Sequence, residues 1–225
     1  MEVIYEDNHI IVVNKAPGEI VQGDRTGDTP LVDIVKQWLK VKYNKPGQVF
    51  CGVVHRIDRP VGGLVVFAKT SKALSRLNDM LRRGLVHKTY WAIVANRPPR
   101  DADTLVHYIT STERTNKSRA TLDPRPGAQR AELRYRLIAS SDRYHLLQVQ
   151  LITGRKHQIR VQLASIGCPI RGDLKYGAPR SNPDGGISLQ AHRIRFIHPV
   201  SGKEIDTTAP VPEDFKRLGF DDSAL

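Results

Sequence analysis

The stretch HRIDRPVGGLVVFAK, residues 55–69, changes character halfway along. Its first half packs His55, Arg56, Asp58 and Arg59 ahead of a proline, and its second half is apolar and rich in β-branched residues. That pattern predicts a charged loop followed by a buried strand. Loops at the ends of rigid strands are where scaffolds usually hold chemistry. A carboxylate flanked by two arginines is expected to stay ionised at neutral pH, because nearby opposite charge favours the charged form, and an ionised aspartate can act as nucleophile or base. Taken alone, RIDRP is more often a surface turn, with the aspartate in an Asx-turn or an ion pair.

Working outward, HIIVVNK (residues 9–15) reads as a short buried strand closed by the turn APG. TPLVDIVKQWLKVKY offers Thr29 as N-cap, Pro30 at the first helical position, and Leu31, Ile34, Val35, Trp38 and Leu39 on one face. After GLVVFAK, the run TSKALSRLNDMLRRG carries Leu74, Leu77 and Leu81 as a stripe, with arginines in the last turn and Gly84 to end it. VHKTYWAIVA is the next strand. Residues 97–129 then turn polar and rich in Pro, Arg and Ser, which predicts a mobile, basic insertion or hairpin rather than a core element. AELRYRLIA and YHLLQVQLI read as an antiparallel pair turning at residues 140–143. RKHQIRVQLASIG reads as a helix through Ile159, Leu163 and Ile166, stopped by Gly167, and ISLQAHRIRFIHP pairs with KEIDTTA through the turn PVSG. Strands outnumber helices and connect mostly as hairpins, so the expected class is α+β with a mixed, mainly antiparallel sheet flanked by helices.

The 225 residues fit one large domain or two small ones, and a single domain over 1–225 is the expectation. Lys and Arg number 35 against 23 Asp and Glu, a formal charge of +12. Such an excess points to a polyanionic partner, since released counterions drive binding to phosphate backbones. Cys51 and Cys168 lie far apart without CxxC spacing, which argues against a zinc site or a disulfide framework. The N-terminus is acidic where a signal peptide needs basic residues, and no apolar run approaches a membrane span of about 20 residues. A cytoplasmic protein without membrane contact is expected.

A second charged segment, LITGRKHQIR, sits between a strand and a helix. Arg155 and Arg160 do not share a helical face, which suggests separate tasks: one on phosphate near the helix N-terminus, the other on a buried carboxylate. His157 has no second histidine or acid beside it at metal-ligand spacing, so no metal is assigned.

Together these segments resemble the RluA-type pseudouridine synthases, enzymes that isomerise uridine in structured RNA. HRIDRPVGGLVVFAK is similar to the family's HRLDxxTSGLLLxAK, KTYWAIV to KxYxAxV, and LITGRKHQIRVQLASIGCPIRGDLKYG to LxTGRxHQIRxQxxxxGxPIxGDxxYG. LQAHRIRFIHPVSG follows LxAxxLxFxHPxxG, and YEDNHIIVVNKAPG resembles the opening YEDxxLLVVNKPxG. The boxes run in order over nearly the whole chain. The resemblance implies the pseudouridine synthase catalytic fold, no cofactor, and RNA rather than DNA as partner; a single domain permits a monomer. It implies Asp58 as the essential nucleophile or base, either attacking the sugar or removing a sugar proton to give a glycal. Tyr90 would stack on the flipped uracil, Arg160 would pair with Asp58, and Arg56 would enter the RNA stack vacated by the target base. His55, Arg155, Lys15 and Lys88 are further candidate RNA contacts, Lys15 alternatively being a turn cation. Asp173 and Tyr176 are expected to fix a turn.

Two departures stand out. Val61 and Gly62 replace the family's Thr-Ser, which is expected to loosen the loop at Gly62-Gly63. The opening box starts almost at Met1, so no separate N-terminal RNA-binding domain is expected. The competing reading is a catalytically silent RNA-binding or ribosome-maturation protein with the same fold. A nucleotide hydrolase using Asp58 with a metal comes last, because too few ligands are present.

Overall fold

The computed structural model describes residues 1–112 and 114–221. In chain order the elements are β1 (Glu2–Glu6), β2 (Ile10–Lys15), α1 (Leu31–Lys42), β3 (Gly52–Val53), β4 (Gly62–Ala68), α2 (Ser71–Arg82) and β5 (His87–Val94). They continue with β6 (Ala102–Thr112), β7 (Lys117–Thr121), β8 (Gln129–Ser140), β9 (His145–Leu151), α3 (Gln158–Ser165) and a 3-10 turn at Leu174–Tyr176. The chain ends with β10 (Leu189–Ile197), β11 (Glu204–Thr208) and α4 (Glu213–Lys216). It folds as two compact units: Met1–His87 with Ala191–Ala209, and Lys88–Gln190 with the segment from Pro210.

In the first unit the strands run β1-β2-β4-β10, with β3 on β4 and β11 on β10. β4 is interior and buried along its whole length. The period-2 alternation of side chains explains why. Ile10, Val12, Leu64 and Val66 face Ala73 and Leu77 of α2, whereas Ile11, Val13, Val65 and Phe67 face Leu31, Val35 and Leu39 of α1. Two helices thus cover two faces, and continuous apolar strands result. α2 starts at Thr70, whose side chain accepts the Ala73 amide at 3.2 Å, and stops where Gly84 takes φ +70°. Pro30 occupies the N-cap of α1 instead of its first turn, and makes no side-chain cap. The HPVSG turn closes on His198, whose Nδ1 accepts the Val200 and Ser201 amides at 3.1 and 2.8 Å.

In the second unit the order is β5-β9-β8-β6-β7. One face carries Ile109 and Ala131 against Val161 of α3 and Tyr176. On the other face Trp91, Ile93 and Leu146 are covered by Val211, Phe215 and Phe220. Residues 97–129, Glu113 excepted as it lies outside the described residues, do form a hairpin, β6–β7, but the expectation that they lie outside the core is corrected. β6 pairs with β8 from Ala102↔Arg136 to Ile109↔Gln129, and Leu105, His107 and Ile109 are buried. Alternation with Thr104, Val106 and Tyr108 dilutes that apolar signal in the sequence.

Candidate active site

Within the first unit the HRID segment spans the loop between β3 and β4, and three side chains fix it. His55 Nε2 accepts the Val66 amide of β4 at 3.2 Å. Ile57 packs into the α1 core. Lys15, 1% exposed, donates to the carbonyls of Ala16 at 2.9 Å, Glu19 at 2.8 Å and Arg59 at 3.0 Å. All three protons of its ammonium are therefore spent on backbone, tying the turn after β2 to the loop that carries Asp58. These bonds make Lys15 a cation of the turn. Burial pushes Lys15 down to about 8, while the Glu19 and Asp58 carboxylates pull it back up. The Asp58 carbonyl accepts the Val61 amide at 3.0 Å, closing a turn over Arg59 and Pro60. Asp58 is half-buried and Arg56 is exposed. Arg59, adjacent to Asp58 in sequence, forms its ion pair with Asp28.

The two glycines after this turn are not a loose loop, contrary to expectation. Both belong to β4, with Gly63 opposite Lys15 of β2. Gly63 has φ +111°, and a Cβ on it would lie 2.4 Å from the Ala191 carbonyl oxygen and 2.6 Å from its nitrogen. Only glycine permits that approach of β10. At Gly62 the nearest atoms to a Cβ would be 3.4 Å away, so the family's serine would fit.

Within the second unit, Tyr90 of β5 is 6% exposed and stands opposite Val149 of β9, on the face away from Trp91. Lys88, two residues earlier on the same face, is half-buried, and burial lowers its pKa. Its Nζ ends 3.9 Å from where a Cβ on Gly154 would sit, which places it beside the TGR turn. That turn is organised by Gln158. Its Oε1 accepts the Thr153 hydroxyl at 2.8 Å and the Arg155 amide at 2.9 Å, while its Nε2 donates to the Glu132 carbonyl at 3.0 Å. Arg155 is exposed and its Nε donates to the Arg130 carbonyl at 3.0 Å. His157 adopts φ +56°, so α3 begins only at Gln158, about one turn later than the sequence suggests.

Arg160 and Asp173 are 4% and 1% exposed and form a two-pronged ion pair, Nε to Oδ2 at 2.7 Å and Nη2 to Oδ1 at 2.9 Å. The fork fixes the guanidinium plane, and the ring of Tyr176 lies 5.1 Å below it. The Tyr176 hydroxyl accepts the Ser118 amide at 2.8 Å and meets His157 Nδ1 at 2.8 Å. Burial raises the Tyr176 phenol, which therefore stays protonated. Arg160 thus holds the buried carboxylate of Asp173. Asp173 and Gln158 are the residues the sequence reading undervalued; both lie in the same TGRxHQIR–GD box as Arg160. The structure gathers Asp58, His55, Arg56 and Lys15 on one unit, and Tyr90, Lys88, Arg155 and Arg160 on the other. Among the described residues no group of three or more His, Cys, Asp or Glu is placed to hold a metal ion.

A family model described as RNA pseudouridylate synthase matches residues 9–165. An uncharacterized RNA pseudouridine synthase, YhcT, of Bacillus subtilis is 32% identical over 222 residues, covering 97% of this chain and 71% of that protein. The ribosomal large subunit pseudouridine synthase D of Xanthomonas campestris is 34% identical over 235 residues, covering 97% and 68%. Among solved structures, human RNA pseudouridylate synthase domain containing 4 superposes with a TM-score of 0.80 at 24% identity, over 96% of this chain and 91% of that one, and so shares the fold.

Proposed function

This chain belongs to the RNA pseudouridylate synthase family, and we propose that its Asp58, Tyr90 and Arg160 carry out the isomerisation of a specific uridine in large-subunit ribosomal RNA. As a synthase of this kind it breaks the N1–C1′ glycosidic bond, forms C5–C1′, releases the proton from C5 and gains one on N1, so atoms balance within one nucleotide. Taking the base out of its stack costs a few kcal/mol, which an aromatic platform and an inserted side chain offset. Tyr90 is that platform and exposed Arg56 the inserted group. Asp58 opens the glycosidic bond, and Arg160, fixed by Asp173, supplies a guanidinium of set orientation. Arg155 and Lys88 steer phosphates.

The observation that carries this assignment is the anchoring of the Asp58 loop by His55, Ile57 and Lys15. A surface turn needs no such support, whereas a catalytic group must hold its geometry closely. The choice of ribosomal RNA rests on the name of the Xanthomonas relative. We place the reaction in the cytoplasm; no described helix is long and apolar enough to cross a membrane.

The test is chemical mapping of pseudouridine across total RNA from cells with the gene intact, deleted, or replaced by Asp58→Asn. One large-subunit uridine should lose its modification in both altered strains. A site that disappears on deletion but persists with Asp58→Asn would remove Asp58 from the mechanism. No change anywhere would favour the silent RNA-binding reading.

A further inference from the structure

The uncovered part of the second unit's sheet, on the face away from Tyr90, carries charge of essentially one sign. β8 alternates buried Ala131, Leu133 and Tyr135 with outward Arg130, Glu132, Arg134 and Arg136. The cross-strand register sets Thr104 of β6 and Gln150 of β9 beside Arg134, and Ala102 and Gln148 beside Arg136. Arg119 of β7 lies opposite Thr110, extending the same face towards the sheet edge. The one acid on these outward positions, Glu132, is taken by Arg130 at 2.6 Å. Arg119 and Arg134 are exposed and form no ion pair among the described residues.

A solvated antiparallel face is ordinarily polar, but mixes both signs. Here uncompensated arginines alternate with glutamines and threonines, on a rigid lattice whose neighbours along a strand are about 6.8 Å apart. Cations dispersed among neutral hydrogen-bonding side chains fit a phosphate backbone better than an acidic protein surface. Planar guanidiniums take phosphate oxygens in pairs, and amide and hydroxyl groups reach sugars and phosphates. Val106, opposite Glu132, and Tyr108, opposite Arg130, share the face, and an aromatic ring among arginines also suits nucleotides.

We propose that this face, centred on Arg119, Arg134 and Arg136, is a second RNA-contacting surface, separate from the one that presents Tyr90, and that it grips phosphates of the substrate RNA away from the target nucleotide. The proposal rests on the chain acting on RNA, and names where a long substrate is held. Affinity then depends on RNA length, while the chemical step does not depend on these arginines.

The test combines Arg119, Arg134 and Arg136→Gln in one protein and follows binding to an unmodified large-subunit ribosomal RNA transcript, and to a stem-loop of about 15 nucleotides, over a range of salt. Three lost phosphate contacts reduce the slope of log K against log salt by about 2, at about 0.7 per contact for single strands. Affinity for the long transcript should fall about tenfold at physiological salt while stem-loop affinity stays within twofold. An unchanged slope for the long transcript, or equal losses for both RNAs, overturns the proposal. A photo-crosslinker at Thr104 provides a readout that leaves the arginines in place; it should form adducts with the long transcript, and their absence also overturns the proposal. Because these readouts are binding and crosslinking, they decide the matter even if purified protein were to form no pseudouridine, the result that would instead refute the catalytic assignment.

Discussion

Replacing Gly63 with alanine tests whether the start of β4 is built around a glycine. The new Cβ would sit 2.4 Å from the Ala191 carbonyl oxygen, where about 3.4 Å is ordinary contact, so the two backbones must part by roughly 1 Å. Both partners are main chain within a buried sheet, which yields less readily than a side chain. Overpacking of this kind costs about 1–3 kcal/mol, and holding a side chain at φ +111° adds about 1–3 kcal/mol. The expected loss is about 2–6 kcal/mol, against a total stability of about 5–15 kcal/mol for a domain. Gly62→Ala is the internal control, because its Cβ meets nothing nearer than 3.4 Å and its φ is ordinary; it should change stability by less than about 1 kcal/mol. Urea denaturation of both variants, with the m-value checked for constancy, gives the comparison. Pseudouridine formation by Gly63→Ala should fall as well, since Asp58 lies five residues upstream on the loop that β4 anchors. Equal stability of the two variants within about 1 kcal/mol would refute the packing argument.

Arg160→Lys keeps the charge but loses the fork on Asp173, and should destabilise the protein by about 1–3 kcal/mol and lower the single-turnover rate; unchanged thermal unfolding and rate would contradict the role given to that fork. Tyr176→Phe removes the hydroxyl that accepts the Ser118 amide and meets His157 Nδ1, at about 1–3 kcal/mol, read by denaturant unfolding. Lys15 gives a pH signature. Its folded pKa of about 8 lies below the usual 10.5, so the unfolded chain binds more protons between those values and stability rises with pH across that window. The increment is at most about 3.5 kcal/mol at about 1.4 kcal/mol per pKa unit, the three carbonyl acceptors working against it, and it should be absent in Lys15→Met when unfolding is compared at pH 7.5 and 10.

The sequence was most readable where one physical signal dominated. β2 and β4 are covered on both faces by helices, so they appear as unbroken apolar runs, and α2 announces itself through the stripe of Leu74, Leu77 and Leu81 and through Gly84. β6 escaped because most of its outward residues are polar and its flanks are rich in arginine and proline. α3 was read about a turn too long because nothing in RKHQ signals that His157 takes a left-handed conformation. In the candidate site, Asp58 and Arg160 were visible as charge at strand and helix ends. Their supports were not, since Lys15 sits 43 positions before Asp58 and Asp173 lies 13 after Arg160, and such pairings depend on topology rather than on local pattern. Lys15 in particular could be a turn cation or an RNA contact. Only the fold shows that carbonyls consume all three of its protons.

The most direct measurement is tritium release from an unmodified large-subunit ribosomal RNA transcript labelled at C5 of uridine, under single-turnover conditions, with wild-type protein and Asp58→Asn, and with RNA affinity measured in parallel. The account predicts release by the wild type and a loss of at least about 10³-fold in Asp58→Asn, with affinity within a few-fold, because removing a covalent or general-base group strips transition-state stabilisation while leaving the fold and its cations intact. Tritium release by Asp58→Asn at a rate near that of the wild type would contradict it.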